Sequence, residues 1–375
     1  MIVIGFIATL YFLWIIFILV NWIQLPSVKT GTLYGEKISI LIPVRNEESN
    51  IGTLLEDINC QNLTTGQLTV WVLDDSSSDS TAEIVKEIAG KVNYSLKYVF
   101  GPDEAPDGGG GKKSMIALGV RLTGDPVIIQ TDADCRVGPG WVESLIAPFH
   151  DNKVQFVTGP VAYTGKDHLI SHMLGQELSA LLVTTAAMIR IKKPVMCNGA
   201  CMAYRREAFL QAGGYRGNEG IASGDDSFLL HSINKKYPGS VQFLKNKNAM
   251  VRTREPEDFK EFLNQRIRWA GKWNVGDNGW TRSLAIFIFL TNLNFLWLAA
   301  FSVLSGSYGL LLVLFTGKLL LEYLLLLSWS RYFLIRLHLP AFLIAGILYP
   351  FYTVIFGVLA NTSKFTWKGR NHRQP

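Results

Sequence analysis

Residues 1–28 contain no Asp, Glu, Lys, Arg or His, and 2–25 is an almost unbroken apolar run. As a helix, that run is long enough to cross the ~30 Å hydrocarbon core of a bilayer. A secretory signal peptide needs a basic start and a small-residue cleavage site. Neither stands here, so 1–28 reads as a retained transmembrane anchor. A second uncharged stretch covers 283–317 and a third covers 339–363, while 319–329 is apolar apart from Glu322. Helices over about 284–304, 307–328 and 340–360 are expected, and a chain so divided does not fold as one water-soluble globule. Its 18% of charged residues, against about 25% for ordinary globular proteins, agrees.

The formal net charge of +6 is localised. From Lys29 to Arg282 there are 29 basic and 29 acidic residues; beyond that, seven basic residues face Glu322 alone. A duplex-binding domain needs a basic face on its soluble part, so nucleic acid is excluded as a partner. The surplus instead reads as orientation and lipid-surface charge. Positive-inside reasoning puts Lys29, the 331–336 loop and the 364–375 tail in the cytoplasm. One full crossing by 340–360 would separate loop from tail, whereas Pro340, Gly346, Pro350 and Gly357 allow a kinked or re-entrant segment. Lys318 and Glu322, four apart on one helix face, read as a neutralised helix-end pair near the interface or as a lipid-acceptor element. Cys60, Cys135, Cys197 and Cys201 are scattered, and free thiols in a reducing compartment suit a cytosolic face.

Between the apolar regions, short β-branched runs alternate with helical patterns. Strands are expected at 38–42, 68–73, 96–100 and 127–131. Helices are expected after Ser49 or Asn50, near 81–89 and over 114–122. This alternation predicts βαβ units and a mainly parallel sheet, an α/β domain over 29–256. Ligands bind such sheets at the carboxyl ends of the strands. Asp74 and Asp75 follow one strand there, Asp132 and Asp134 another.

Two carboxylates one residue apart, as in Asp132-Ala-Asp134, suit a hard divalent cation such as Mg²⁺ or Mn²⁺ that keeps positions open for phosphate oxygens. Turn and helix-capping aspartates give the same pattern. Residues 108–111 followed by Lys112-Lys113 fail the P-loop pattern at Pro106 and Lys113. They read as a glycine loop leading into a helix whose first turn suits an anion, or as a plain linker. Gly224-Asp225-Asp226 opens a further helix, where N-capping explains one Asp and a carboxylate base the other. An amphipathic, basic, Trp-rich interfacial helix is expected over 257–282, with Gln265 and Arg268–Trp269 on one face. Arg268 suits a membrane surface and a phosphate equally. His168 and His172 are an i, i+4 pair, but Leu169 stands where a zinc protease motif has Glu.

In order along the chain stand Ile42-Pro43-Val44-Arg45-Asn46-Glu47-Glu48, Leu73-Asp74-Asp75-Ser76, Gly111-Lys112, Asp132-Ala-Asp134, Gly224-Asp225-Asp226 and Gln265-Arg266-Ile267-Arg268-Trp269. The series resembles the family 2 glycosyltransferases of the GT-A fold over about 36–273. It is most similar to the membrane-bound branch with a Q-x-x-R-W motif, which holds hyaluronan, chitin and cellulose synthases and ceramide glucosyltransferases. The resemblance implies a GT-A, Rossmann-like catalytic domain flanked by transmembrane helices. Asp74 and Asp75 would contact uridine, with Pro43 and Glu47 shaping that pocket and Lys112 near the nucleotide. Asp132 would contact the nucleotide sugar and Asp134 the metal, a divalent cation. Asp226 would be the catalytic base, and Gln265, Arg268 and Trp269 a gate over diphosphate and acceptor. Asp225-Asp226, where many relatives have Glu-Asp, resembles hyaluronan synthases.

The expected activity is inverting transfer from a nucleotide sugar, UDP-linked, to a membrane-embedded lipid acceptor by an integral protein of a bacterial inner or plasma membrane. A processive polysaccharide synthase on a glycan acceptor is the alternative, and a non-catalytic sugar-nucleotide-binding protein the rival from another class.

Overall fold

The computed structural model describes residues 2–28, 37–62, 66–101, 111–165, 167–217, 224–271, 279–359, 365–367 and 370–372. The expected lysines at 29, 364 and 368, Arg373, Gly108 to Gly110, and Lys272 and Trp273 lie outside them. The chain begins with α1 (Ile2–Gln24), β1 (Ile38–Val44), α2 (Ile51–Asn59), β2 (Leu68–Asp74), α3 (Thr81–Ala89) and β3 (Ser95–Phe100). Next come α4 (Lys112–Leu122), β4 (Val127–Gln130), β5 (Arg136–Val137), α5 (Trp141–Ile146), β6 (Phe156–Thr158) and β7 (Val161–Tyr163). They are followed by α6 (Leu169–Arg190), β8 (Met202–Arg205), α7 (Arg206–Gln211), α8 (Asp225–Lys236), β9 (Val241–Phe243) and β10 (Val251–Thr253). The last elements are α9 (Phe259–Gly271), α10 (Gly279–Ser305), α11 (Gly309–Phe333), α12 (Leu339–Leu359), β11 (Phe365–Trp367) and β12 (Arg370–His372).

These elements form two compact units. The α/β unit comprises Pro26–Thr164 and Lys192–Arg254. Its seven-stranded sheet has the order β3-β2-β1-β4-β8-β6-β9, and a smaller sheet runs β5-β10-β7. Strands β3, β2, β1 and β4 are mutually parallel, while β8 runs antiparallel to both β4 and β6. Ile40, Leu41 and Ile42 of β1 are fully buried, a burial that contributes about 1.5–3 kcal/mol per side chain. On α2, Ile51, Leu54, Leu55 and Ile58 form the buried face at helical spacing. Asn50 holds the N-cap position, but its amide donates to Glu47 Oε2 at 2.8 Å instead of capping the helix.

From β1 the chain builds outward through β2 to β3, then returns to the other side of β1 at β4. The β1–β4 boundary is therefore the switch point, where the strand ends open into a crevice. Pairing of β1 with β4 ends at Leu41↔Gln130, while pairing with β2 continues to Val44↔Asp74. Pro43 thus falls where one flank of the ladder has already ended, which is how a central strand accommodates it.

The helical unit comprises Met1–Leu25, Gly165–Ile191 and Glu255–Pro375. Among its described residues α1, α10, α11 and α12 are long and apolar enough to cross a membrane. Ile2, Phe6, Leu13 and Ile23 on α1 and Ile347, Phe351 and Ile355 on α12 are exposed, as lipid-facing side chains are. Trp22 packs against Trp329 with ring centroids 4.9 Å apart, joining α1 to α11. Helix α12 runs unbroken through Pro350 from Leu339 to Leu359, so the described part of this segment is one helix. Helix α11 continues to Phe333, placing Arg331 in its last turn and not in a loop. Lys318 and Glu322 consequently lie in mid-helix, away from either end. Lys318 Nζ donates to Glu322 Oε2 at 2.8 Å, and the Tyr11 hydroxyl donates to Glu322 Oε1.

Candidate active site

The first cluster gathers beyond the ends of β1 and β2. Asp74 is fully buried; its Oδ1 accepts from Ser77 N–H at 2.7 Å and its Oδ2 from the Tyr98 hydroxyl at 2.7 Å. Burial and then the Asp74 carboxylate push the Tyr98 phenol up, so it remains the donor. Asp75 stands 3.6 Å from Arg45 Nη1, which also donates to the Asp75 carbonyl at 2.9 Å. Asn46 and Ser76 both adopt left-handed backbone, with φ of 53° and 65°, unusual for side-chain-bearing residues and concentrated at functional turns. Asn46 Oδ1 accepts from Ser78 N–H at 2.8 Å and Asn46 N–H donates to Ser77 Oγ at 3.0 Å. The two loops are thereby locked together, with Glu47 N–H fixed on Thr81 Oγ1 at 2.9 Å. Pro43, Glu47, Asp74 and Asp75 thus cluster at the carboxyl ends of β1 and β2.

The second cluster lies beyond β4. Lys112, the first residue of α4, places Nζ 2.6 Å from Asp132 Oδ1 and 3.4 Å from Asp225 Oδ2. Burial opposes its charge, but the carboxylates of Asp132, Asp225 and Asp226 outweigh burial and hold the ammonium above its ordinary range. Asp225 and Asp226 form the first turn of α8, and Gly224, at φ +81°, takes the N-cap position that sequence assigned to an Asp. Both carboxylates are therefore released from capping. Asp226 Oδ2 accepts from Gly199 N–H at 3.2 Å and Oδ1 from Ser227 N–H at 2.7 Å. Gly199 lies close against the cluster: a Cβ there would crowd Lys112 Nζ at 3.3 Å and touch Asp226 Cβ at 3.6 Å. These two backbone donors fix the orientation of the Asp226 carboxylate.

Asp134 Oδ2 accepts from Thr253 Oγ1 at 3.2 Å, which orients it from β10. Among the described residues no group of three or more His, Cys, Asp or Glu side chains is placed to hold a metal. Asp132 and Asp134, one residue apart, would leave a hard divalent cation held there with positions open for oxygens of a ligand. That is the pattern of Mg²⁺ or Mn²⁺ carried with a phosphate substrate. Next to it, burial followed by the charges of Asp134 and Asp132 pushes the Cys135 thiol up.

Gln265, Arg268 and Trp269 belong to the helical unit, on α9, where all three are half-buried. His168 caps α6 by accepting from Ser171 N–H at 3.3 Å, and His172 Nε2 lies 2.7 Å from Asp167 Oδ1. Both histidines thus have structural partners.

Tyr98, Thr253 and the partnering of Asp225 with Lys112 join the site without a local motif to mark them. Only strand pairing puts Tyr98 beside Asp74 and β10 beside Asp134. The Asp225 contact was foreshadowed by two adjacent acids at a helix start.

Two family models match the chain. The model for glycosyl transferase family 2 matches residues 39–212, and that for glycosyl transferase family group 2 matches 127–359, more than half the chain. The probable glycosyltransferase YdaM of Bacillus subtilis is 27% identical over 250 residues, 66% of this chain and 57% of that protein. An N-acetylglucosaminyltransferase of Sinorhizobium fredii is 22% identical over 250 residues, covering 64% and 58%. A beta-monoglucosyldiacylglycerol synthase of Trichormus variabilis is 32% identical over 117 residues, covering 31% and 24%. The chain spans less than two thirds of the length of these curated relatives. The mannosyltransferase PcManGT from Pyrobaculum calidifontis, solved in complex with GDP-Man and Mn²⁺, shares the fold at TM-score 0.60 and 18% identity, covering 93% of this chain and 96% of that one. A mainly parallel sheet carrying acidic pairs at its strand ends, followed by long apolar helices that the group model also spans, agrees with those matches: the chain belongs to glycosyl transferase family 2.

Proposed function

We propose that the chain is an inverting glycosyltransferase that moves a hexosyl or N-acetylhexosaminyl group from a UDP-sugar to a lipid acceptor held in the membrane. The observation that carries this is the Asp226 carboxylate, buried and fixed by two backbone N–H groups beside Lys112, Asp132 and Asp225 at the switch point of the sheet. Asp74 and Asp75 bind the nucleoside, with Pro43 and Glu47 shaping that pocket. Lys112 exchanges its carboxylate partners for donor phosphate, and Asp132 holds the sugar. A divalent cation, Mg²⁺ or Mn²⁺, supplies charge neutralisation at the diphosphate when bound, and Asp134 is its protein ligand.

Asp226 takes the proton from the acceptor hydroxyl as that oxygen attacks the anomeric carbon opposite the departing diphosphate. The bond from that carbon to the diphosphate breaks, and the configuration inverts. Arg268 receives the charge growing on the leaving group, and Gln265 and Trp269 close over diphosphate and acceptor. A lipid acceptor is supported by the four apolar helices and by the name of the Trichormus relative. Bacterial relatives, free cysteines and the positive-inside bias support an inner-membrane protein with the catalytic domain in the cytoplasm.

Membranes containing the protein, incubated with labelled UDP-glucose, UDP-galactose and UDP-N-acetylglucosamine, should yield one labelled glycolipid in the organic extract. Label in a polymer that lengthens with time would replace this reading with the processive synthase.

A further inference from the structure

Helix α9 carries a second arginine that the proposed mechanism does not use. The Arg266 side chain is 1% exposed, the most enclosed cation of that helix. Its guanidinium lies 5.0 Å from the Phe262 ring centre and 4.3 Å from that of Trp269, one turn away on either side. Nη1 donates to Gln265 Oε1 at 2.6 Å, and Nη2 to Glu177 Oε2 of α6 at 2.6 Å. The other oxygen of Glu177 accepts from the Tyr352 hydroxyl of α12 at 2.7 Å. One carboxylate therefore ties three helices of the unit together, and the cation between them touches Gln265 and Trp269.

Packing α9 does not require this arrangement. A buried ion pair gains little over apolar side chains of equal volume. What a guanidinium adds is geometry: a rigid planar fork that donates in two directions while stacking on a ring. Lysine, with a point charge on a flexible stem, reproduces the charge and not the fork. From this we infer that Arg266, clamped by Glu177, is a positioning residue that sets the side chains of Gln265 and Trp269. The inference rests on the glycosyl-transfer reading, in which those two close over diphosphate and acceptor.

The test uses the full chain in lipid nanodiscs, with UDP release and labelled lipid measured for the UDP-sugar turned over by wild type. Arg266→Lys, Gln265→Ala, Trp269→Ala and the double variants of Arg266→Lys with each are compared. Arg266→Lys should lower kcat by up to ~10²-fold, the cost of misplacing a reacting partner by about 1 Å. The KM for the UDP-sugar should stay unchanged and the melting temperature near wild type. With Trp269→Ala or Gln265→Ala already present, the lysine substitution should cost little more, because it acts through those side chains. Glu177→Gln, which keeps the shape but removes the charge, should reproduce the same non-additive loss. Losses that simply add, or that track the amount of folded protein, overturn the inference. Full transfer by Arg266→Lys alongside defective Gln265→Ala and Trp269→Ala overturns it and leaves the proposed function standing. Full transfer by Gln265→Ala and Trp269→Ala overturns both this inference and the role assigned to those two side chains.

Discussion

Lys112 and Asp132 form an ion pair at 2.6 Å that joins the first turn of α4 to the loop after β4. The same ammonium stands 3.4 Å from Asp225, so one cation holds apart carboxylates that would otherwise repel. Replacing it exposes that repulsion. Lys112→Met should destabilise the α/β unit by about 1–3 kcal/mol, less than a fully buried pair because Asp132 is partly exposed. It should also weaken UDP-sugar binding. Thermal unfolding and equilibrium binding check both; unchanged stability and affinity would remove Lys112 from the site.

Tyr98 and Asp74 make a second such pair, neutral donor to buried carboxylate. Tyr98→Phe removes one of the two donors seen on Asp74. A hydrogen bond to a charged group contributes about 1.5–3 kcal/mol, so a loss of that size is expected in denaturant unfolding. Affinity for free UDP should fall with it, since the loop carrying Asp75 starts from this brace. A variant as stable as wild type would show that Asp74 is held elsewhere.

His231, on α8 one and a half turns beyond Asp226, predicts an acid sensitivity. Burial pushes its pKa from 6.5 down to about 4, opposed by a backbone hydrogen bond at Val195 and by Asp226. Below 6.5 the unfolded chain binds a proton that the folded chain refuses. The stability linked to this residue is therefore complete above 6.5 and lost as pH falls toward 4, by roughly 3 kcal/mol at most. His231→Gln should flatten that part of the stability–pH curve. An unaltered curve would assign the acid loss to other groups.

In the helical unit, Lys318 and Glu322 give opposite expectations for one change and two. Lys318→Met alone leaves Glu322 with the Tyr11 hydroxyl and, among the described residues, no cation in an ion pair with it, which should cost about 3–5 kcal/mol. Adding Glu322→Leu removes the stranded charge and should restore most of that loss. Unfolding in detergent distinguishes the two; a double variant no better than the single would show that the ion pair itself stabilises the bundle.

The sheet and its acidic strand ends were legible because periodicity and β-branched runs are local signals. The ends of β1, β2 and β4 fell within two residues of expectation, and α3 matched at 81–89. Helix α11 ran longer than expected because Arg331 and Tyr332 continue it as readily as apolar residues do. What lay beyond sequence was pairing across long separations. Nothing in a run of residues says that Thr253 will meet Asp134, that Gly199 will donate to Asp226, or that Glu177 will reach Arg266. Each contact depends on which strands or helices become neighbours. The mid-helix position of Lys318 is a similar case: its cost is met by Glu322 four residues on, and by Tyr11 from the far end of the chain.

The most direct test is Asp226→Asn in the purified full chain. UDP-sugar binding should remain near wild type and the melting temperature should fall only modestly, because asparagine keeps the size of the side chain and one of the two oxygens that accept backbone N–H bonds. Sugar transfer and UDP release should fall by ~10²–10⁴-fold, the contribution of a general base. Transfer at the wild-type rate would contradict the assignment of Asp226 as the group that takes the acceptor's proton.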